Sequence, residues 1–169
     1  MGTHLKLAID ERASADRPVS VTPIRVVLAD DHEVMRRNLR RVLDAEGGIS
    51  VIAEGDDLGT VIRHVQAHHP NVLVLDLSMG GGSSIEAIRR LRGNVPGTEI
   101  VVLKMEENAA FAQHAIDAGA IGFVLKDTAD SELPEAIRSA ARGREYVSPR
   151  VAGRLRARRL ATGDSVHQL

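Results

Sequence analysis

In IRVVLADD, Ile24 to Asp31, five apolar residues and one arginine run directly into two aspartates. A short, β-branched run without strict alternation reads as a strand that is apolar on both faces. Strands of that kind belong in a parallel sheet covered by helices on each side. Working outward, similar runs follow: SVIA from Ser50, VLVL from Val72, EIVVL from Glu99 and IGFVL from Ile121. Between and after them, apolar residues recur at spacings of three and four. Examples are Met35, Leu39, Val42 and Leu43 after the first run, and Leu133, Ala136, Ile137 and Ala140 after the last. That is the helical period, so the chain reads as five strand–helix units in succession. The fold class is α/β: a doubly wound, flavodoxin-like five-stranded parallel sheet of order 2-1-3-4-5, with helices on both faces. Five units are too few for a barrel, which needs eight.

Composition narrows the class further. The chain has 169 residues and a net charge of −1, enough for one domain of ordinary size but not for a wholly basic nucleic-acid binder. Its charge is uneven, with eight arginines and one acid between Arg138 and Arg159. There is no cysteine, which excludes disulfides, thiolate metal sites and a cysteine nucleophile. No apolar run approaches the roughly 20 residues of a membrane span, and no secretion signal stands at the start. A cytoplasmic location is expected. Residues 1–23 read as a flexible leader, residues 24–146 as the domain, and residues 147–169 as a basic linker helix and tail.

In doubly wound sheets ligands bind beyond the carboxyl ends of the strands, where the strand order reverses. The residues placed there are Asp30 and Asp31 after the first run, Asp76 after the third, Lys104 after the fourth and Lys126 after the fifth. Glu54, after the second, would lie on an outer strand, away from the reversal. Three carboxylates at one edge repel unless a cation compensates, and carboxylate oxygens with water suit Mg²⁺. Singly, each residue has an ordinary role: Asp30 or Asp31 as a helix cap, Asp76 in a turn, Lys126 snorkelling into water. Their joint placement favours one shared site.

The stretches VVLADDHEVMRRNL, VLVLDLSMGG and DAGAIGFVLKDTADSELPEAIRSAARGREYVSP closely resemble the receiver domains of bacterial two-component response regulators. The resemblance covers about residues 24 to 150. ADDH, AGAIGFVLKD and ARGREYVSP are most similar to the subfamily with a LuxR-type helix-turn-helix output domain. The chain stops at VHQL, about where that DNA-binding domain would begin, so DNA is an expected partner only through the missing output domain. The resemblance implies that Asp76 is the phosphoacceptor, receiving the group from a sensor histidine kinase or a small acyl phosphate. It further implies that Asp30, Asp31, Asp76 and the backbone carbonyl of Ser78 hold Mg²⁺, that Lys126 contacts the phosphoryl group, and that Phe123 is the switch aromatic. A homodimer is expected as well. The chain is then a phosphoacceptor that regulates transcription, not an enzyme.

Two departures from that pattern stand out. A Met-Pro-Gly turn is usual after the phosphoacceptor, and here Met79 is followed by Gly80, Gly81 and Gly82, a freer loop. Lys104 stands where Ser or Thr is usual, and an ammonium can only donate, on a longer stem. It could turn to Glu106, Glu107 or solvent, lie across Asp76 or Asp31 in place of the metal, or join Lys126 on the phosphoryl group. The second outcome describes an alternative function: an atypical, phosphorylation-independent pseudo-receiver serving as a dimerisation or protein-interaction module. A small flavodoxin-like enzyme or nucleotide binder is a third class, but no phosphate-binding glycine loop follows the first run. Near the end of the chain, Ser131 is read as the cap of the last helix of the domain. The arginines from Arg150 to Arg159 are read as lying on a solvated linker helix.

Overall fold

A computed structural model describes residues 22–79 and 84–166. Its elements run β1 (Ile24–Ala29), α1 (Glu33–Asp44), β2 (Ile49–Gly55), α2 (Leu58–His68), β3 (Val72–Asp76), α3 (Ser84–Asn94), β4 (Glu99–Lys104), α4 (Ala109–Asp117) and β5 (Gly122–Leu125). A 3₁₀ turn (Lys126–Thr128) then leads into α5 (Ala129–Ala141), β6 (Tyr146–Val147) and α6 (Pro149–Val166). The sheet is parallel throughout, in the order β2-β1-β3-β4-β5-β6. The five expected strands are present in the expected order.

Successive strand residues feed opposite layers, which is why the runs read as continuously apolar. Val27, Leu73, Leu75, Val102 and Phe123 point to the side covered by α2, α3 and α4. Val26, Leu28, Val74, Leu103 and Val124 point to the other side, where Leu39 and Leu43 of α1 meet Leu133 and Ile137 of α5. All of these side chains are fully buried or nearly so.

Three expectations are corrected. A sixth strand exists: after Gly143, in the left-handed region at φ +70°, the chain turns back so that Tyr146 and Val147 pair with Gly122 and Phe123. Helix α5 starts at Ala129, ahead of Ser131, because the 3₁₀ turn runs straight into it. The Ser131 hydroxyl instead donates to the Thr128 carbonyl at 3.0 Å.

The third correction concerns α6, which does not stand free in solvent. Val151 and Leu155, 1% and 2% exposed, join the core beside Ala112 and Ala115 of α4. Arg150 at its start pairs with Asp127 at 2.6 Å and with Glu107. Arg159 reaches Glu145 and Gln113, both at 2.8 Å. Two of the arginines expected to face solvent are thereby bound within the chain, while Arg154, Arg156 and Arg158 remain exposed.

Leu155 distinguishes a docked helix from a linker. Truncating a buried leucine costs about 2–5 kcal/mol, whereas a change on a solvated helix stays within about 0.5 kcal/mol. Leu155→Ala is expected to lower urea-unfolding stability by at least about 2 kcal/mol.

Candidate functional site

Strands β1 and β3 are neighbours, with Ala29 opposite Leu75, so their next residues, Asp30 and Asp76, emerge side by side. The strand order reverses here, because β1 carries β2 on one flank and β3 on the other. Both carboxylates are buried, at 0% and 1% exposure. Lys126, at the end of β5, brings its ammonium to 2.8 Å from Asp76 Oδ2 and 3.4 Å from Asp30 Oδ2. It too is buried. Asp31 stands at the rim, exposed.

The oxygens of Asp76 are not equivalent. Oδ1 accepts two hydrogen bonds from Ser78, one from the backbone N–H at 2.9 Å and one from the hydroxyl at 2.7 Å. Oδ2 feels the Lys126 charge but has no aligned hydrogen-bond donor. Asp30 repeats this asymmetry. Its Oδ1 accepts from the His32 backbone N–H at 2.8 Å, and its Oδ2 has no donor.

Burial and the Asp76 charge push the Asp30 carboxyl above its ordinary range, against the opposing pull of the His32 N–H and Lys126. Burial acts on Asp76 in the same sense, but there the Lys126 ammonium and the two Ser78 donors outweigh it and hold Asp76 low. Three carboxylates against one buried ammonium leave the site short of positive charge. The clustered carboxylate oxygens of Asp30, Asp31 and Asp76, two of them buried, fit a hard divalent cation such as Mg²⁺.

Sequence reasoning passed over His32. Its backbone precedes α1 in the capping position, yet its side chain makes no capping hydrogen bond. Instead Nδ1 lies 3.4 Å from Asp30 Oδ1, 3.3 Å from Asp31 Oδ1 and 3.9 Å from Asp76 Oδ2. The one sequence signal was its place directly after the aspartate pair.

The structure does not bring Lys104 to the acids. Its ammonium lies 3.1 Å from Glu106 Oε2 and 4.3 Å from the centre of the Phe111 ring. Two attractive partners lie on its own side of the cleft, and Lys126 already occupies the position facing Asp76. Of the three destinations left open for Lys104, the turn to Glu106 is the one found; the alternative in which it pairs with the acidic site is not. Phe123 is fully buried in the layer facing α4. Gly80–Ser83, including the glycines of the unusual loop, lie outside the described residues.

The sequence model of the response regulator receiver domain family matches residues 26–138. The transcriptional regulatory protein DegU of Brevibacillus brevis is 30% identical, over 86% of this chain and 63% of that protein. A LuxR-family two-component response regulator from Aurantimonas sp. SI85-9A1 has a similar structure, with a TM-score of 0.76 and 34% identity, covering 82% of this chain and 99% of that one. So does the isolated receiver domain of RcsB from Salmonella enterica serovar Typhimurium with the phosphomimetic BeF₃⁻, with a TM-score of 0.71 and 30% identity, covering 79% and 98%. The chain spans less than two thirds of the length of the first curated relatives it matches. An acidic cleft at the reversal of a parallel sheet, set in a family match across most of the domain, identifies the chain as a member of the response regulator receiver domain family, with LuxR-family regulators among its relatives.

Proposed function

We propose that Asp76 accepts a phosphoryl group from a sensor histidine kinase, with Mg²⁺, and that this regulates a DNA-binding transcriptional output in the cytoplasm. The observation that carries this reading is the asymmetry of Asp76. Ser78 holds Oδ1, while Oδ2 is buried, free of aligned donors and 2.8 Å from a fixed ammonium. A carboxylate held ionised in this way is a nucleophile with one oxygen ready to react. Oδ2 attacks phosphorus as the bond from phosphorus to the donor histidine nitrogen breaks. The electron pair leaves with the imidazole, which takes a proton from solvent, and Asp76 becomes an aspartyl phosphate.

Lys126 needs only a short displacement to move from Asp76 Oδ2 to the new phosphoryl oxygens, keeping their charge compensated. Asp30, Asp31, Asp76 and the Ser78 carbonyl would hold the cation. When bound, it would neutralise charge on the transferred group and so ease the approach of phosphorus to a crowded anionic site.

A cleft of about 750 Å³ lined by His32, Val34, Met35, Met105 and Lys126 opens beside the site. Val34 and Met105 are 80% and 59% exposed, large apolar side chains suited to docking an apolar patch on the kinase. Arg150 supplies a route onward. It joins Asp127, next to Lys126, and Glu107, in the loop after Lys104, to the start of α6. A loop movement at the site would therefore pull on the helix leading to the C-terminal end of the chain. Pairing of two receivers as a homodimer belongs to the same reading.

Incubation with acetyl phosphate and Mg²⁺ is expected to add one phosphoryl group by intact mass, with Asp76→Asn abolishing it. Failure of the wild type both to form that adduct and to bind beryllofluoride would contradict the proposal. The same charge crowding costs stability. The folded pKa of Asp30 lies above its unfolded value of 3.8, so Asp30 favours folding below the unfolded pKa, and that contribution is lost as pH rises through the folded pKa. Asp30→Asn is expected to raise Tm at neutral pH, with the gain shrinking as pH falls toward 3.8. Saturating Mg²⁺, at one hundred times its Kd, should stabilise the wild type by about 2.7 kcal/mol and stabilise the variant far less, as read by thermal melts.

A further inference from the structure

We infer that the outward side of α6, together with Arg144 in the loop before β6, is a sequence-independent docking surface for the phosphate backbone of duplex DNA. This rests on the DNA-binding output of the proposed function and goes beyond it, giving the receiver its own contact with the nucleic acid. Val151 and Leu155 seat α6 on α4. At 3.6 residues per turn, the side facing away from them carries Gly153 and Ala157, with Arg154 and Arg158 on one flank and Arg156 on the other. All five are exposed. Arg159, which holds Glu145 at 2.8 Å, ties the helix to the loop that carries Arg144.

Charge and side-chain chemistry select the occupant. On α1 the arginines are compensated, Arg36, Arg37 and Arg40 pairing with Glu54, Glu33 and Asp44. On α6 they are not. Glu145 is the one acid between Arg144 and Arg159, and Arg159 already holds it. Among the described residues, the guanidinium groups of Arg144, Arg154, Arg156 and Arg158 have no ion-pair or hydrogen-bond partner. Four uncompensated charges repel a second copy of the same helix, so the small ridge of Gly153 and Ala157 does not serve self-pairing. They attract a polyanion, and the guanidinium fork matches phosphate oxygens two at a time. The small ridge lets a phosphate backbone approach until arginines on both flanks reach it. Helix α6 has no aromatic ring on which unpaired bases would stack, and no Asn or Gln to read adenine edges. Duplex phosphates therefore fit better than a single strand or a particular sequence.

The test is fluorescence anisotropy of labelled duplexes of two unrelated sequences, titrated with the whole chain over a series of NaCl concentrations. Expected are equal affinities for the two sequences and a slope of log K against log salt of about −3.6, from about 0.9 for each of four phosphates. Arg154→Ala and Arg158→Ala each make the slope shallower by about 0.9. Arg41→Ala, which removes an exposed arginine from α1 on the opposite side of the sheet, leaves it unchanged. Thermal melts establish that the variants are folded. Absence of duplex binding at low salt, or an unchanged slope in folded Arg154→Ala and Arg158→Ala, overturns the surface. So does binding of a polyglutamate peptide in preference to duplex, which would make the occupant an acidic protein segment. A phosphoryl group still accepted on Asp76 by the same preparation shows that such a failure belongs to α6 and not to the proposed phosphoacceptor.

Discussion

Two carboxylates on neighbouring strands are buried against a single ammonium, and the rest of the site follows from that constraint. Asp30 and Asp76 cannot separate, because the pairing of β1 with β3 fixes their backbones. Lys126 cannot leave without stranding charge in the interior, a loss of about 3–5 kcal/mol for a buried pair. It also cannot neutralise both acids, and the two respond differently: Asp76 is held ionised, Asp30 is resisted. The sheet thus maintains a standing demand for positive charge at the oxygens where a phosphoryl group or a metal ion would arrive.

The same cleft explains the behaviour of Lys104. A second ammonium aimed at Asp76 would compete with Lys126, while Glu106 and the Phe111 face lie on its own side. Lys104 therefore belongs to the wall formed by the β4–α4 loop. That wall continues through Glu107 to Arg150, and through Arg150 to Asp127 beside Lys126. The start of α6 closes this ring of charges, and Val151 and Leu155 seat the helix on α4. Lys104 and the docked helix are parts of one surface.

The sheet was legible because strands buried on both faces leave a continuous apolar run, and Val27 and Leu28, both fully buried, serve opposite layers. The placement of Asp30, Asp76 and Lys126 was legible because strand ends in such a sheet converge. What escaped depends on side-chain direction or on segments too short to show a period. β6 is two residues long. In α6, two buried apolar residues are set among arginines, so the helix reads as solvated although Arg150 and Arg159 are bound within the chain. His32 looks like part of a helix start, and its ring turns over the acids only in the folded chain. Lys104 had three open destinations, and the choice was made by Phe111, seven residues on, across a loop whose path the sequence does not give.

The most direct measurement is a crystal structure with Mg²⁺ and beryllofluoride. The account predicts beryllium bonded to Asp76 Oδ2, Ser78 still donating to Oδ1, and the Lys126 ammonium moved onto fluorine. Beryllium bonded elsewhere, or Lys126 still on Asp76 and Asp30 with no fluorine contact, would contradict it.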